Sequence, residues 1–499
     1  MAGALQPRNG SLQKPRNTSR TLSMLGQYML HSAPLLILAL VLSIVGNVFQ
    51  LIGPALCGRA IDAASRGKGQ VDFQTVYYYA LQMIVFYVAS AALAYLVPQI
   101  VLRISQRTVR LMRGDLFYKL MRLPVKYFDT HQIGELLSRI SYDIDTVNTS
   151  LSNDLVQIFT SIITIVGALV MMIKISPLLV LVFVVTVPLS VLFTRFMTSR
   201  VRPLYHNRSK CLGALNGFAE EYISGQKTIR AYHREEDALT RFDEKNEDAV
   251  NSYYKAEYYA SSTGPSVNFI NNLSLTLISI FGALMYLNGA ITLGNISSFV
   301  LYSRKFSGPI NEAANIFSEL QSALAAAERV FELLNEEEET ADVQGAFPLQ
   351  VEKGEVDLKH VDFGYDSEKM ILKNINLTAE PGNMIAIVGP TGAGKTTIVN
   401  LLMRFYDPQS GEILIDGQSI YQVTRKSLRG SFSMVLQDTW LFNGTIHDNI
   451  AYGNPDATRE AVIAAAKAAH IHGMIMRLPH GYDTVITEDG VNISKGQKQ

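Results

Sequence analysis

The sequence predicts two parts: an α-helical membrane bundle of six transmembrane helices with long extensions on one side, then an α/β domain built around a phosphate-binding loop. Three observations carry that expectation. The 499 residues are 48% hydrophobic and 18% charged, apolar for a purely soluble chain. Six apolar stretches of bilayer-spanning length precede residue 320. Finally, "GPTGAGKT", Gly389–Thr396, lies between a strand-like run, "MIAIV", and a helix-like one, "TIVNLLM".

Residues 1–21 contain the polar stretch "MAGALQPRNGSLQKPRNTSR" and read as a disordered basic tail. The apolar stretch that follows is longer than the core of a secretory signal, so it reads as a retained helix. Within residues 22–320, spans are expected at 32–56, 76–100, 152–174, 177–198, 266–288 and 292–317. "KISP" joins the third to the fourth and "NGAITLGN" the fifth to the sixth, each a tight hairpin.

Basic residues crowd the long second-to-third connection (Arg103, Arg107, Arg110, Arg113) and the fourth-to-fifth (Arg200, Arg202, Arg208, Lys210). The short hairpins hold almost none. The positive-inside rule therefore puts the N-terminus, both long connections and everything after the sixth span in the cytoplasm of a cell-membrane protein. Arg103, Arg107 and Arg110 share one helical face, so the membrane helices are expected to continue into the cytoplasm. Arg304 and Lys305 fall inside the sixth stretch, and at least one is expected to face the bundle interior or a watery cavity.

Residues 321–350 combine a helical extension with an acidic linker. Leu320, Leu324, Ala327, Phe331 and Leu334 alternate four- and three-residue spacings, as in a packed helix seam, and "NEEEETADVQG" then breaks the pattern. From residue 351 to 499 the composition is that of a soluble α/β domain, with strand-like "GEVDLKHVDFGY", "MIAIVG" and "EILIDG" and helix-like "KTTIVNLLMRFY" and "REAVIAAAKAAHIHGMI".

The 44 basic residues equal the 44 acidic ones, which argues against nucleic acid as a partner. Cys57 and Cys211 stand far apart with no metal-ligand spacing, so neither a disulfide framework nor zinc is expected.

In the phosphate loop, which includes Gly389, Pro390, Thr391, Gly392 and Ala393, the backbone amides and the following helix end converge on one point. Pro390 itself has no amide proton, while Thr391, Gly392 and Ala393 do. Gly389, Gly392 and Gly394 let the backbone curl closely. Lys395 is placed to reach the β- and γ-phosphates of ATP, and the Thr396 hydroxyl to coordinate Mg2+, with Thr397 next in the helix.

With these features in order, the chain from about Leu22 onward resembles a half-transporter of the ABC exporter family. Further motifs fit that resemblance. Tyr365 in "VDFGYD" matches the aromatic that stacks on adenine, and Gln437 in "MVLQDTWLFNGTIHDNI" the glutamine that meets magnesium and the attacking water. Glu488 and Gly490 in "TEDG" resemble an exporter-specific element, with Asp489 where a basic residue is usual. "ISKGQ" resembles the LSGGQ signature through Ser494, Gly496 and Gln497, with Ile493 and Lys495 as departures.

The resemblance implies an ATPase that drives export, with ATP bound between the loop of one subunit and the signature of a second half-transporter, as a homodimer or heterodimer. "YFDTHQIGELLSRISYD" and "EEYISGQKTIRAYHRE" resemble the two cytoplasmic coupling regions, short crosswise helices. It also implies that a strand with the Walker B carboxylates, and a switch histidine, follow the signature. Neither is within residues 1–499, so the domain is expected to be incomplete at its C-terminus and this chain inactive alone. That strand pairs beside the one ending at Val388, which without it lacks a neighbour.

The alternative is a non-hydrolytic, ATP-binding regulatory or assembly subunit. An importer permease fits less well, given the long extensions. The cargo, whether small molecule, lipid or peptide, is not legible: Asn47, Gln50, Asn268, Asn271 and Asn272 suit a cavity lining and hydrogen bonds between helices equally.

Overall fold

The computed structural model describes residues 17–65, 71–366, 369–437, 439–486 and 493–499. They divide into two units, Met1–Glu339 and Thr340–Gln499. The first opens with α1 (Thr18–Leu30), α2 (Ala33–Ala64) and α3 (Phe73–Leu120), followed by the short α4 (Val125–Thr130), α5 (Ile133–Ser138) and α6 (Ile144–Thr149). It closes with α7 (Leu155–Ile175), α8 (Pro177–Ser224), α9 (Gln226–Ala231), α10 (Glu235–Ser261), α11 (Thr263–Leu287) and α12 (Leu293–Leu334).

Each expected span lies in a helix. At 48 residues, α3 and α8 run about 72 Å, more than twice a bilayer core. Five described helical stretches are long and apolar enough to cross a membrane, and α12, the expected sixth span, is not among them. Burial explains its polarity. Phe299, Tyr302 and Phe306 of α12 pack with Ala168, Met172, Phe183 and Ile278, so protein rather than lipid covers that face. Ser298 donates to the Pro54 carbonyl at 2.8 Å and Tyr302 to the Leu51 carbonyl at 2.6 Å. Such bonds hold helices together where no water competes. On the same helix Arg304 is exposed and Lys305 half-buried.

At its start α12 approaches α2 so closely that a Cβ on Gly58 would overlap the Ser298 hydroxyl. Asp62 fixes this contact, accepting from the Thr292 hydroxyl and the Gly294 amide, both at 2.7 Å. At its far end Ala326, Ala327, Val330, Phe331 and Leu333 join Met112 and Leu116 of α3 and Leu136, Ile144 and Val147 in a second core. Arg329 grips the buried Asp143 carboxylate through two nitrogens. Asp143 ends a π-helical turn, Arg139–Asp143, and a second π turn, Ser150–Asp154, leads into α7. Both regions expected to hold short helices do so: α4 and α5 in one, α9 in the other.

One boundary is corrected. Residues 18–21, assigned to the polar tail from composition, begin α1. Thr21 is buried, and the Asn17 amide donates to Glu328 at 2.8 Å, a tether 311 residues away.

In the second unit β1 (Val356–Phe363) and β2 (Leu372–Ala379) precede α13 (Lys395–Leu402), β3 (Ser410–Ile415) and β4 (Gln418–Ser419). These strands form one antiparallel sheet in the order β2-β1-β3-β4. Leu358, Val361, Phe363, Ile413 and Ile415 bury one face against Ile398 and Leu401 of α13. After α14 (Arg425–Gly430) and β5 (Gly444–Thr445) come α15 (Ile446–Ala451), α16 (Arg459–Ala468), α17 (His472–Ile475), β6 (Val485–Ile486) and α18 (Lys495–Lys498). Ile446, Val462, Ile475 and Tyr482 make a separate small core.

The expected buried strand "MIAIV" is a second correction. Residues 384–388 are irregular and exposed, Met384 at 97% and Val388 at 87%. A parallel strand forms only between neighbours that take its hydrogen bonds and cover both faces. Among the described residues no strand lies beside this one.

The β3–β4 hairpin turns through Asp416 and Gly417, both at positive φ, the Asp-Gly pair that a two-residue turn favours. The Asp416 carboxylate also accepts from the amides of Glu352, Lys353, Gly354 and Glu355. Those bonds, Gly354 and Glu355 foremost, hold its pKa at about 2. A depressed carboxyl stabilises the fold fully above its unfolded value, about 3.9. The gain disappears as pH falls through about 2. We therefore expect Asp416→Asn to lower the denaturation midpoint of the second unit by a constant amount above pH 4, with the gap from the parent narrowing below it. Denaturant titrations from pH 7 to 2.5 check this; a gap that ignores pH would contradict it.

Candidate functional site

The phosphate loop runs from Gly389 to the first turn of α13. Gly392 and Gly394 adopt φ of +87° and +88°, left-handed values that other residues rarely take. Gly394 is doubly required, because a Cβ there would lie 2.7 Å from Leu372 Cδ2 and 3.1 Å from Ile371 Cγ2. The start of β2 is thus the floor against which the loop is pressed. Gly394 caps α13 with no side-chain hydrogen bond, leaving the first amides of the helix for a ligand.

Lys395 Nζ donates to the Gly389 carbonyl at 2.8 Å and the Pro390 carbonyl at 3.0 Å, folding the ammonium across the loop. Thr391, Gly392 and Ala393 form the exposed rim, and Thr396 is exposed beside them. Thr397 instead turns inward: its Oγ1 lies 3.3 Å from the Tyr365 hydroxyl, to which Asn400 also donates at 3.3 Å. Tyr365 stands edge-on to Tyr406 and Phe363, with centroids 4.9 and 5.1 Å away. An aromatic from the end of β1 is thereby fixed beside the loop. Asn400, Tyr406 and the Ile371–Leu372 floor carry no motif and escape sequence reasoning.

Gln437 lies exposed in an irregular stretch, and among the described residues no hydrogen bond joins it to the loop. Ser494, Gly496 and Gln497 are exposed at the start of α18. Ser494 Oγ accepts from the Gln497 amide at 3.3 Å, while Gln497 Oε1 accepts from the Ser494 amide at 3.0 Å. This reciprocal capping box was readable as S-x-x-Q. Ile493 anchors it by packing on the Ile446–Tyr482 core, a task any branched aliphatic performs. Glu488 and Gly490 lie outside the described residues. Among the described residues no group of three or more His, Cys, Asp or Glu side chains could hold a metal. A magnesium ion held mainly by ATP phosphates and one or two protein oxygens fits this site.

A helical membrane unit joined to a glycine-cradled phosphate loop defines a nucleotide-binding membrane protein. Comparison makes the class specific. Residues 36–310 match the ABC transporter transmembrane region and residues 372–499 the ABC transporter domain. An uncharacterized ABC transporter ATP-binding protein of Bacillus subtilis is 42% identical over 97% of this chain and 80% of its own length. A fatty acid ABC transporter ATP-binding/permease protein of Mycobacterium bovis is 43% identical over 87% of this chain and 68% of its own. The solved structure of a bacterial Atm1-family ABC exporter with ATP bound superposes with a TM-score of 0.74 at 29% identity, over 93% of this chain and 82% of that one. The chain belongs to the ABC transporter family, and its relatives are exporter half-transporters with ATP-binding domains.

Replacing Gly394 by Ala forces a left-handed Cβ into Leu372, at a backbone cost alone of about 1 to 2 kcal/mol. We expect at least roughly tenfold weaker binding of a fluorescent ATP analogue with unchanged helical content. Unaltered affinity would show that the loop does not need this conformation.

Proposed function

We propose that this chain is one half of a dimeric ATP-driven exporter of the cell membrane, with its N-terminus and nucleotide domain in the cytoplasm. The observation that carries the reading is the loop itself: two left-handed glycines, an uncapped helix end and a lysine folded over them. ATP lies with its phosphates on the amides of Gly389 and Thr391 to Thr397, beside Pro390, and its adenine against Tyr365. Thr396 and Gln437 hold Mg2+, and Gln437 also orients the attacking water. Ser494, Gly496 and Gln497 cover the γ-phosphate held by the partner half.

Nucleotide closure reaches the membrane helices through the short helices α4, α5 and α9. ATP drives the change only by its greater affinity for the closed state. The relatives' names include fatty acid transport and, in Staphylococcus aureus, putative multidrug export at 30% identity.

Lys395→Ala in the assembled transporter removes the charge aimed at the terminal phosphates. Transport into inverted vesicles should fall by about two orders of magnitude, while circular dichroism shows an intact membrane unit. Transport at the parent rate would refute the assignment and favour a subunit that binds ATP without using it.

A further inference from the structure

Three cavities in the first unit lie side by side and share lining residues. An apolar one of about 230 Å³ is lined by Leu40, Val97, Ile104, Leu151, Val156 and Phe159 among others. It shares Ser43, Val97 and Val156 with a second of about 210 Å³, which in turn shares Asn47, Gln50 and Thr160 with a third of about 620 Å³. The third is polar and acidic: Asp154, Glu312 and Glu319 line it together with Asn153 and Gln157. Among the described residues that line it there is no Lys or Arg.

The acidic end is built rather than incidental. The second π turn widens the helix so that three successive residues, Ser152, Asn153 and Asp154, reach the same cavity. Asp154 is only 4% exposed, and its carboxyl lies against that of Glu319. Glu312 is held by Gln157 Nε2 at 2.6 Å, an amide and not a cation. At the junction Ser43 is 7% exposed, and its hydroxyl has no hydrogen-bond partner.

From this adjacency we infer that the membrane unit binds a cationic amphiphile. Its alkyl portion occupies the apolar cavity, and a positively charged head faces Asp154, Glu312 and Glu319. The inference rests on the exporter reading for its purpose, though binding itself does not require transport. It also separates this chain from the name of its mycobacterial relative, since a fatty carboxylate would add a further negative group to an acidic wall.

The test compares three probes of one chain length, radiolabelled decyltrimethylammonium, decanol and decanoate, binding to the nucleotide-free protein in lipid nanodiscs. Decyltrimethylammonium should bind at least roughly tenfold tighter than decanoate. Glu312→Gln, at an exposed position, should remove most of that preference and leave decanol unchanged. Val156→Trp, filling the neck, should weaken all three. Decanoate binding as tightly as the cation, or a preference indifferent to Glu312→Gln, would overturn the inference. Should a substitution unfold the unit, the parent's order of the three probes still decides. Transport of fatty carboxylates by the assembled protein would sink the inference and keep the exporter; cation binding with no ATP-driven transport would do the reverse.

Discussion

The burial of α12 at two separate stretches, one in the bundle core and one beside α3, is the constraint on which the first unit depends. One helix of 42 residues supplies Phe299, Tyr302 and Phe306 to the bundle core, and Ala327, Val330 and Phe331 to the core formed with α3. It is held by Asp62 at one end and by Arg329 on Asp143 near the other, with Pro309 between them. The same helix packs on the short helices at Leu136 and Ile144 and walls the acidic cavity through Glu312 and Glu319. The energetic logic is packing: a buried seam moves as a body because opening it would leave cavities.

The second unit applies the same principle at smaller scale. Its phosphate loop has little internal structure to fix it, and the Ile371–Leu372 floor with the Phe363, Tyr365 and Tyr406 rings supplies that rigidity. Residues that never touch a phosphate thus decide whether the loop amides converge. Preorganisation of this kind spares a ligand the entropy of ordering the loop on arrival.

Sequence alone reached most of this where the signal is local. Long apolar stretches announced the spans, and a contiguous motif announced the loop. It went astray where structure depends on distant partners. Thr18 to Thr21 look like tail until Glu328 is seen to hold Asn17. "MIAIV" has every local mark of a strand, yet strand formation is a property of neighbours and not of composition. α12 is more polar than its fellows because other helices cover it, a fact invisible in a hydropathy window. Asn47 showed both of its legible roles at once, bonding Thr164 across helices at 3.0 Å while lining the chain of cavities. Val156, which lines the apolar cavity and the polar one alike, left no trace in the sequence at all.

Whether ATP is clamped between this chain's loop and a partner's signature is decided by cross-linking in the assembled transporter. With Cys57 and Cys211 replaced, Thr391→Cys on this chain is paired with a cysteine at the signature serine of the partner half. Mg-ATP should produce an intermolecular disulfide that is absent without nucleotide. A cross-link that forms equally without nucleotide, or none at all while labelled ATP occupies the loop, would contradict the shared site.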